Sequence, residues 1–177
     1  MRWTQKILLF ALGLALLALV IVYVMEFYYF NRTFGVGRLL GYGALTGVAI
    51  GAVLGWRLSR VVEDTVERIQ VYVFCIVLAA IFTPLLAGLS NRLLSTHPVT
   101  KENVTFIEEK PYVSERFGVL KGENVKTTGY YLFFERQGKV YRIDNLHKMD
   151  TVLQRGDTFQ IPVRKGFWGF SWVVGDR

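Results

Sequence analysis

Three apolar runs, each long enough to cross a bilayer, fill the first half of this chain and constrain its fold more than any other feature. A helix rises ~1.5 Å per residue, so ~20 apolar residues traverse a ~30 Å hydrocarbon layer. Inside lipid the backbone has no water to bond with, and a helix satisfies its own N–H and C=O groups. The runs predict spans at about residues 7–27, 39–57 and 70–90.

The flanks fit this assignment. Arg2, Trp3 and Lys6 precede the first run, and Phe27-Tyr28-Tyr29-Phe30 follows it, an aromatic cluster suited to headgroup depth. The run is too long for a signal-peptide core, and no small-x-small cleavage site follows it, so it reads as an uncleaved anchor. Between the second and third runs, Leu58, Val61, Val62, Val66 and Ile69 have the spacing of an amphipathic helical continuation. Pro84 lies inside the third run, where it frees a carbonyl and is expected to kink the helix.

Beyond residue 96 the periodicity changes from helical to alternating. Leu132 and Phe134 oppose Tyr131, Phe133 and Glu135, and Gln137-Gly138 turns the chain into Val140–Ile143, a hairpin pattern. A second hairpin is expected to run from Phe159, Ile161 and Val163 through a Lys165-Gly166 turn into Trp168, Phe170, Trp172 and Val174. Pro162 cannot donate to a ladder, which places its strand at an edge or a bulge. Further strand candidates are 103–108, 112–120 and 125–130. The fold class expected is therefore a three-helix transmembrane domain, 1–95, followed by a small all-β domain, 96–177. The β-domain would be an antiparallel barrel or sandwich of SH3-like or OB-like scale.

Charge adds orientation. The net charge is +7. Residues 1–94 carry eight Lys and Arg against four acids and the remainder thirteen against ten, so the excess divides as +4 and +3, without the basic stripe of a nucleic-acid binder. Arg2, Lys6, Arg57, Arg60 and Arg68 fall on one side of the membrane, and Arg32, Arg38 and Arg92 on the other, with Lys101 and Lys110 a little further from it, so the asymmetry is mild. The positive-inside rule then favours an integral membrane protein with a cytoplasmic N-terminus and an outer C-terminal domain, periplasmic if the membrane is a bacterial inner membrane.

Four glycines, Gly43, Gly47, Gly51 and Gly55, repeat every fourth residue and form a smooth stripe on the second span. Such a stripe admits another helix at close range. Matching small residues on the third span are Ala79, Thr83 and Ala87, and Ala80, Pro84 and Gly88. The stripe serves either a bundle within the chain or self-association or docking onto another subunit's helix.

Glu26, the one acid of the first span, counts to the far interface and is expected there as a solvated acid. At greater depth it would mark an ionisable membrane site. Trp168, Phe170 and Trp172 read as β-domain core; exposed, they would be an interaction surface. His97 and His147 lack partners at metal-ligand spacing, and the lone Cys75 sits in an apolar run, so neither metal nor cofactor is expected. No nucleophile elbow or carboxylate pair is present in the sequence. The function expected is a non-catalytic membrane subunit, scaffold or adaptor in transport, secretion or envelope machinery, with an oligomeric pore as the alternative and a membrane-bound enzyme third. Its partners would be the bilayer and other membrane subunits or a second copy, not nucleic acid.

Overall fold

The computed structural model describes residues 3–113, 127–149 and 152–175. It comprises three long apolar helices, α1 (Trp3–Asn31), α2 (Val36–Ser59) and α3 (Thr65–Leu93), and a curled antiparallel sheet. The strands are β1 (Val99–Tyr112), β2 (Gly129–Arg136), β3 (Lys139–Asn145), β4 (Thr158–Arg164) and β5 (Trp172–Val173). Phe10–Asn31, Val36–Ser59 and Thr65–Leu93 are each long and apolar enough to span a membrane.

The chain divides into two compact units, and the division is not a single cut. The helical unit is Met1–Thr96 together with Gly166–Phe170; the β unit is His97–Lys165 with Ser171–Arg177. The expected boundary near residue 95 thus omits a five-residue strap that belongs with the helices.

Within the helical unit, α2 and α3 make the main contact. Leu39, Gly43, Gly47, Gly51, Gly55 and Ser59 are the buried residues of α2, one row at every fourth position. A Cβ on Gly43 would lie 2.8 Å from the Pro84 Cα, one on Gly47 2.5 Å from the Ala79 carbonyl oxygen, and one on Gly51 2.7 Å from that of Cys75. Only a hydrogen side chain allows this backbone-to-backbone approach. Helix α3 runs unbroken through Pro84, which is buried against Gly43.

The turn between α2 and α3 is tighter than the expected amphipathic continuation. The Asp64 carboxylate accepts from the backbone N–H of Val66 at 2.6 Å and of Glu67 at 3.1 Å, capping α3. An Asp capped in this way starts a new helix. Arg68 closes the turn by donating to the Val62 carbonyl at 2.9 Å. As a result α3 begins at Thr65, five residues before the expected span.

Helix α1 is sparingly buried. Leu16, Leu19, Tyr23, Glu26 and Phe30, each half-buried or buried, recur at alternating three- and four-residue steps along one seam, with Tyr28 and Tyr29 half-buried beside its end. Only Glu26 and Phe30 of these are buried. Phe30 fills the place a Cβ on Gly88 would take.

In the β unit the sheet order is β3-β2-β1-β4-β5. The long β1 pairs with β2 along its C-terminal half and with β4 along its N-terminal half, with a bulge between Phe106 and Glu108. Val104, Phe106, Leu132, Phe134, Ile143, Ile161 and Val163 form its core with Trp172 and Val173. The β2–β3 hairpin turns at Gln137 (φ 52°) and Gly138 (φ 74°), the left-handed pair that a two-residue hairpin requires. Contrary to the edge or bulge expected from Pro162, β4 lies between β1 and β5; the Pro162 carbonyl accepts from Val174 at 2.9 Å, and the N–H it lacks would face the same side, where the β4–β5 ladder ends. The expected strands at 112–120 and 125–130 fall largely at 114–126, outside the described residues.

The second expected hairpin is corrected. Only Trp172 and Val173 continue as strand, and the turn is not confined to Lys165-Gly166. Gly169 adopts φ 86°, Gly169 N–H donates to the Gly166 carbonyl at 2.9 Å, and Gly166 N–H donates to that of Phe170 at 3.1 Å. These bonds curl the segment on itself and take it out of the ladder.

Candidate functional site

Among the described residues, three buried polar side chains of the helical unit, Glu26, Arg32 and Asn91, lie where α1 ends and α3 ends, and Ser59 at the other end. Glu26 is 3% exposed and meets the Arg92 guanidinium fork to fork: Nε donates to Oε1 at 3.1 Å and Nη2 to Oε2 at 2.9 Å. The expected solvated acid is therefore a buried, paired one. The carboxylate lies on the α1 seam and faces α3, which makes it inaccessible to water despite its depth near the helix end. The Arg92 guanidinium also lies 3.8 Å from the Tyr29 ring centroid, so one cation holds a carboxylate and an aromatic face of the same helix. This pairing neutralises the acid and fastens α1.

One residue earlier, Asn91 is 2% exposed and makes three hydrogen bonds to the strap. Its Nδ2 donates to the Phe170 carbonyl at 2.8 Å, its Oδ1 accepts from Trp168 N–H at 3.0 Å, and its own carbonyl accepts from Phe167 N–H at 2.8 Å. Ser90 Oγ accepts from the Trp168 indole at 2.8 Å. A Cβ on Gly166 would run into the Asn91 amide. The Asn91 carbonyl is among those that a helix C-terminus leaves open, and the strap satisfies it.

The strap roofs an apolar groove of about 670 Å³ between α2 and α3, lined among others by Leu39, Tyr42, Thr46, Leu86, Trp168 and Phe170. The Phe170 ring is 6.5 Å from that of Tyr42. A second apolar groove, about 790 Å³, lies along the seam of α1, with Leu16 and Leu19 facing Leu54, Phe74, Cys75 and Phe82.

The structure treats the remaining expected residues as follows. Gly43, Gly47, Gly51 and Gly55 face α3 of the same chain, opposite Pro84, Thr83, Ala79 and Cys75. Ala80 is half-buried, and Gly88 receives α1 rather than α2. Trp168, Phe170 and Trp172 do not share a face. Trp172 is buried in the β unit, Trp168 is 58% exposed on the helical unit, and Phe170 is intermediate. Sequence reasoning missed Arg92 as the partner of Glu26, and Asn91 as the anchor of the strap. Among the described residues no group of three or more His, Cys, Asp or Glu side chains could hold a metal ion. The chain matches no protein family, no curated protein and no solved structure at a significant level.

Proposed function

We propose that the chain is a non-catalytic subunit of a larger membrane assembly, in which the helical unit docks beside other spans and the β unit serves as an adaptor on one face of the bilayer. The observation that carries this reading is the bareness of α1. Of its spanning window only 6% is buried inside the protein, against 28% for α2. Its fastening to α3 is concentrated near its C-terminal end, at Glu26, Tyr29 and Phe30. The glycine stripe is spent within the chain, so α1 is the helix left to offer a face to a partner. Arg2, Lys6, Arg57, Arg60 and Arg68 support a cytoplasmic N-terminus and a β unit on the outer face. A pore built from several copies draws less support, because the groove residues Thr46, Thr83 and Ser90 offer few polar groups for a lining.

The test is extraction from native membranes in a mild detergent, sizing, and mass spectrometry of co-migrating chains. Defined companions that photocross-link to the exposed Leu12 or Leu17 of α1 would establish the reading. A particle holding this chain alone would refute it.

A further inference from the structure

The groove between α2 and α3 has features of a ligand site that the subunit reading does not use. Its volume, about 670 Å³, lies within the ~300–1,000 Å³ usual for small-molecule sites. Along α3 it extends from Thr83 to Leu94. At ~1.5 Å per residue that is ~16 Å, about half of a ~30 Å hydrocarbon core and so the depth of one leaflet. The walls are mostly apolar, and Trp168 and Phe170 of the strap line one end.

That same end carries a cation with no salt-bridge partner among the described residues. Arg38 is exposed on the first turn of α2, and its Nη2 donates to the Tyr42 hydroxyl at 3.5 Å, so the guanidinium stands at the rim of the groove. The helical unit has four acids. Glu63, Asp64 and Glu67 lie at the opposite end of α2 and α3, and Glu26 is committed to Arg92. Among the described residues Arg38 makes no salt bridge. The Trp168 indole N–H is already taken by Ser90, leaving its ring as an apolar wall.

We infer that this groove binds one acyl chain of an anionic membrane phospholipid whose phosphate pairs with Arg38. The charge selects the headgroup, and the leaflet-deep apolar wall selects a chain over a soluble phosphate ester. A guanidinium presents a planar fork of donors that suits a phosphate better than a zwitterionic headgroup with its own internal cation. The inference stands independently of the subunit reading, since it requires only this chain.

The experiment is native mass spectrometry of the purified chain in a non-ionic detergent, titrated with phosphatidylglycerol or phosphatidylcholine of identical acyl chains. The expected result is a single saturating lipid adduct, half-formed at about tenfold lower phosphatidylglycerol than phosphatidylcholine. Arg38→Gln should abolish that preference. Arg57→Gln, which removes a charge of the same kind from the other end of α2, should preserve it. Thr46→Trp, which fills the groove from an exposed α2 position without touching the glycine row, should remove the adduct with both lipids. Leu86→Phe serves if Thr46→Trp does not fold. Equal binding of the two lipids, non-saturating multiple adducts, an equal effect of the two arginine substitutions, or an undiminished adduct in the groove-filling variant would each overturn the assignment.

Discussion

Gly47→Ala is the smallest change that tests the seam between α2 and α3. The added carbon would sit 2.5 Å from the Ala79 carbonyl oxygen and 2.8 Å from Thr83 Oγ1. A comfortable carbon-to-carbonyl contact is ~3.3 Å or more, so the helices must part by ~0.8 Å, because the obstructing atom is backbone. A gap of 0.5–1 Å forfeits roughly a quarter to a half of each affected van der Waals well, and each well is worth ~0.1–0.2 kcal/mol. If the seam holds ~40 such atom pairs, about what one buried leucine makes, a third of the total is ~2 kcal/mol. That agrees with the ~1–3 kcal/mol typical of overpacking. Gly41→Ala supplies the control: same helix, same chemistry, and nothing within 4 Å of the added carbon. Helix propensity makes that change neutral or stabilising by up to ~1 kcal/mol. Unfolding in mixed micelles with increasing SDS, followed by tryptophan fluorescence, should therefore separate the two variants by at least ~2 kcal/mol, about thirtyfold in the equilibrium constant. Gly55→Ala, at 3.0 Å from the Tyr72 carbonyl oxygen, should fall between them. Indistinguishable curves for Gly47→Ala and Gly41→Ala would refute the close backbone seam.

Three further outcomes follow from other contacts. Arg92→Gln should destabilise more than Glu26→Gln in the same unfolding assay, by ~3 against ~1 kcal/mol, since the first leaves a carboxylate 3% exposed without its cation and the second leaves a guanidinium that is 24% exposed and still on Tyr29. Asn91→Ala should cost ~1–3 kcal/mol by stranding Trp168 N–H and the Phe170 carbonyl, and should open the Lys165–Gly166 bond to trypsin under conditions where the parent chain resists. Gly138→Ala should cost ~1 kcal/mol because φ of 74° is left-handed, whereas Gln137→Asn should be neutral or stabilising; thermal melts of the full chain in detergent would check both.

The helices and the β2–β3 hairpin were readable because their signals are local. An apolar run of bilayer length, or a Gln-Gly pair between alternating strands, carries its own geometry. The start of α3 was also legible but overlooked: Asp64-Thr65-Val66-Glu67 has the spacing of a helix-capping sequence, and its polar head outranks the apolar spacing that suggested a continuous helix. Glu26 shows a different limit. Depth along a helix could be counted, but burial depends on rotation, and only the seam of Leu16, Leu19, Tyr23 and Phe30 reveals that Glu26 faces inward. The strap was misread for a specific reason. Trp168, Phe170 and Trp172 alternate as a strand does, and the same alternation suits an aromatic loop at membrane depth; Gly166 and Gly169 on either side of Trp168 were the available sign of the second. That its bonds go to Asn91, more than seventy residues earlier, is a long-range fact no local pattern encodes.

The strap also imposes an order on biogenesis. The three helices leave the ribosome and enter the membrane well before Gly166–Phe170 has been synthesised, and all of the intervening stretch must be translated first. At ~5–20 residues per second those seventy-odd residues take on the order of 4–15 seconds. During that interval the Asn91 amide waits with its partners unmade and the α2–α3 groove stands without its roof. A nascent chain stalled in that stretch would thus hold its helices unfinished, with the Asn91 side chain lacking the strap partners it has in the complete chain.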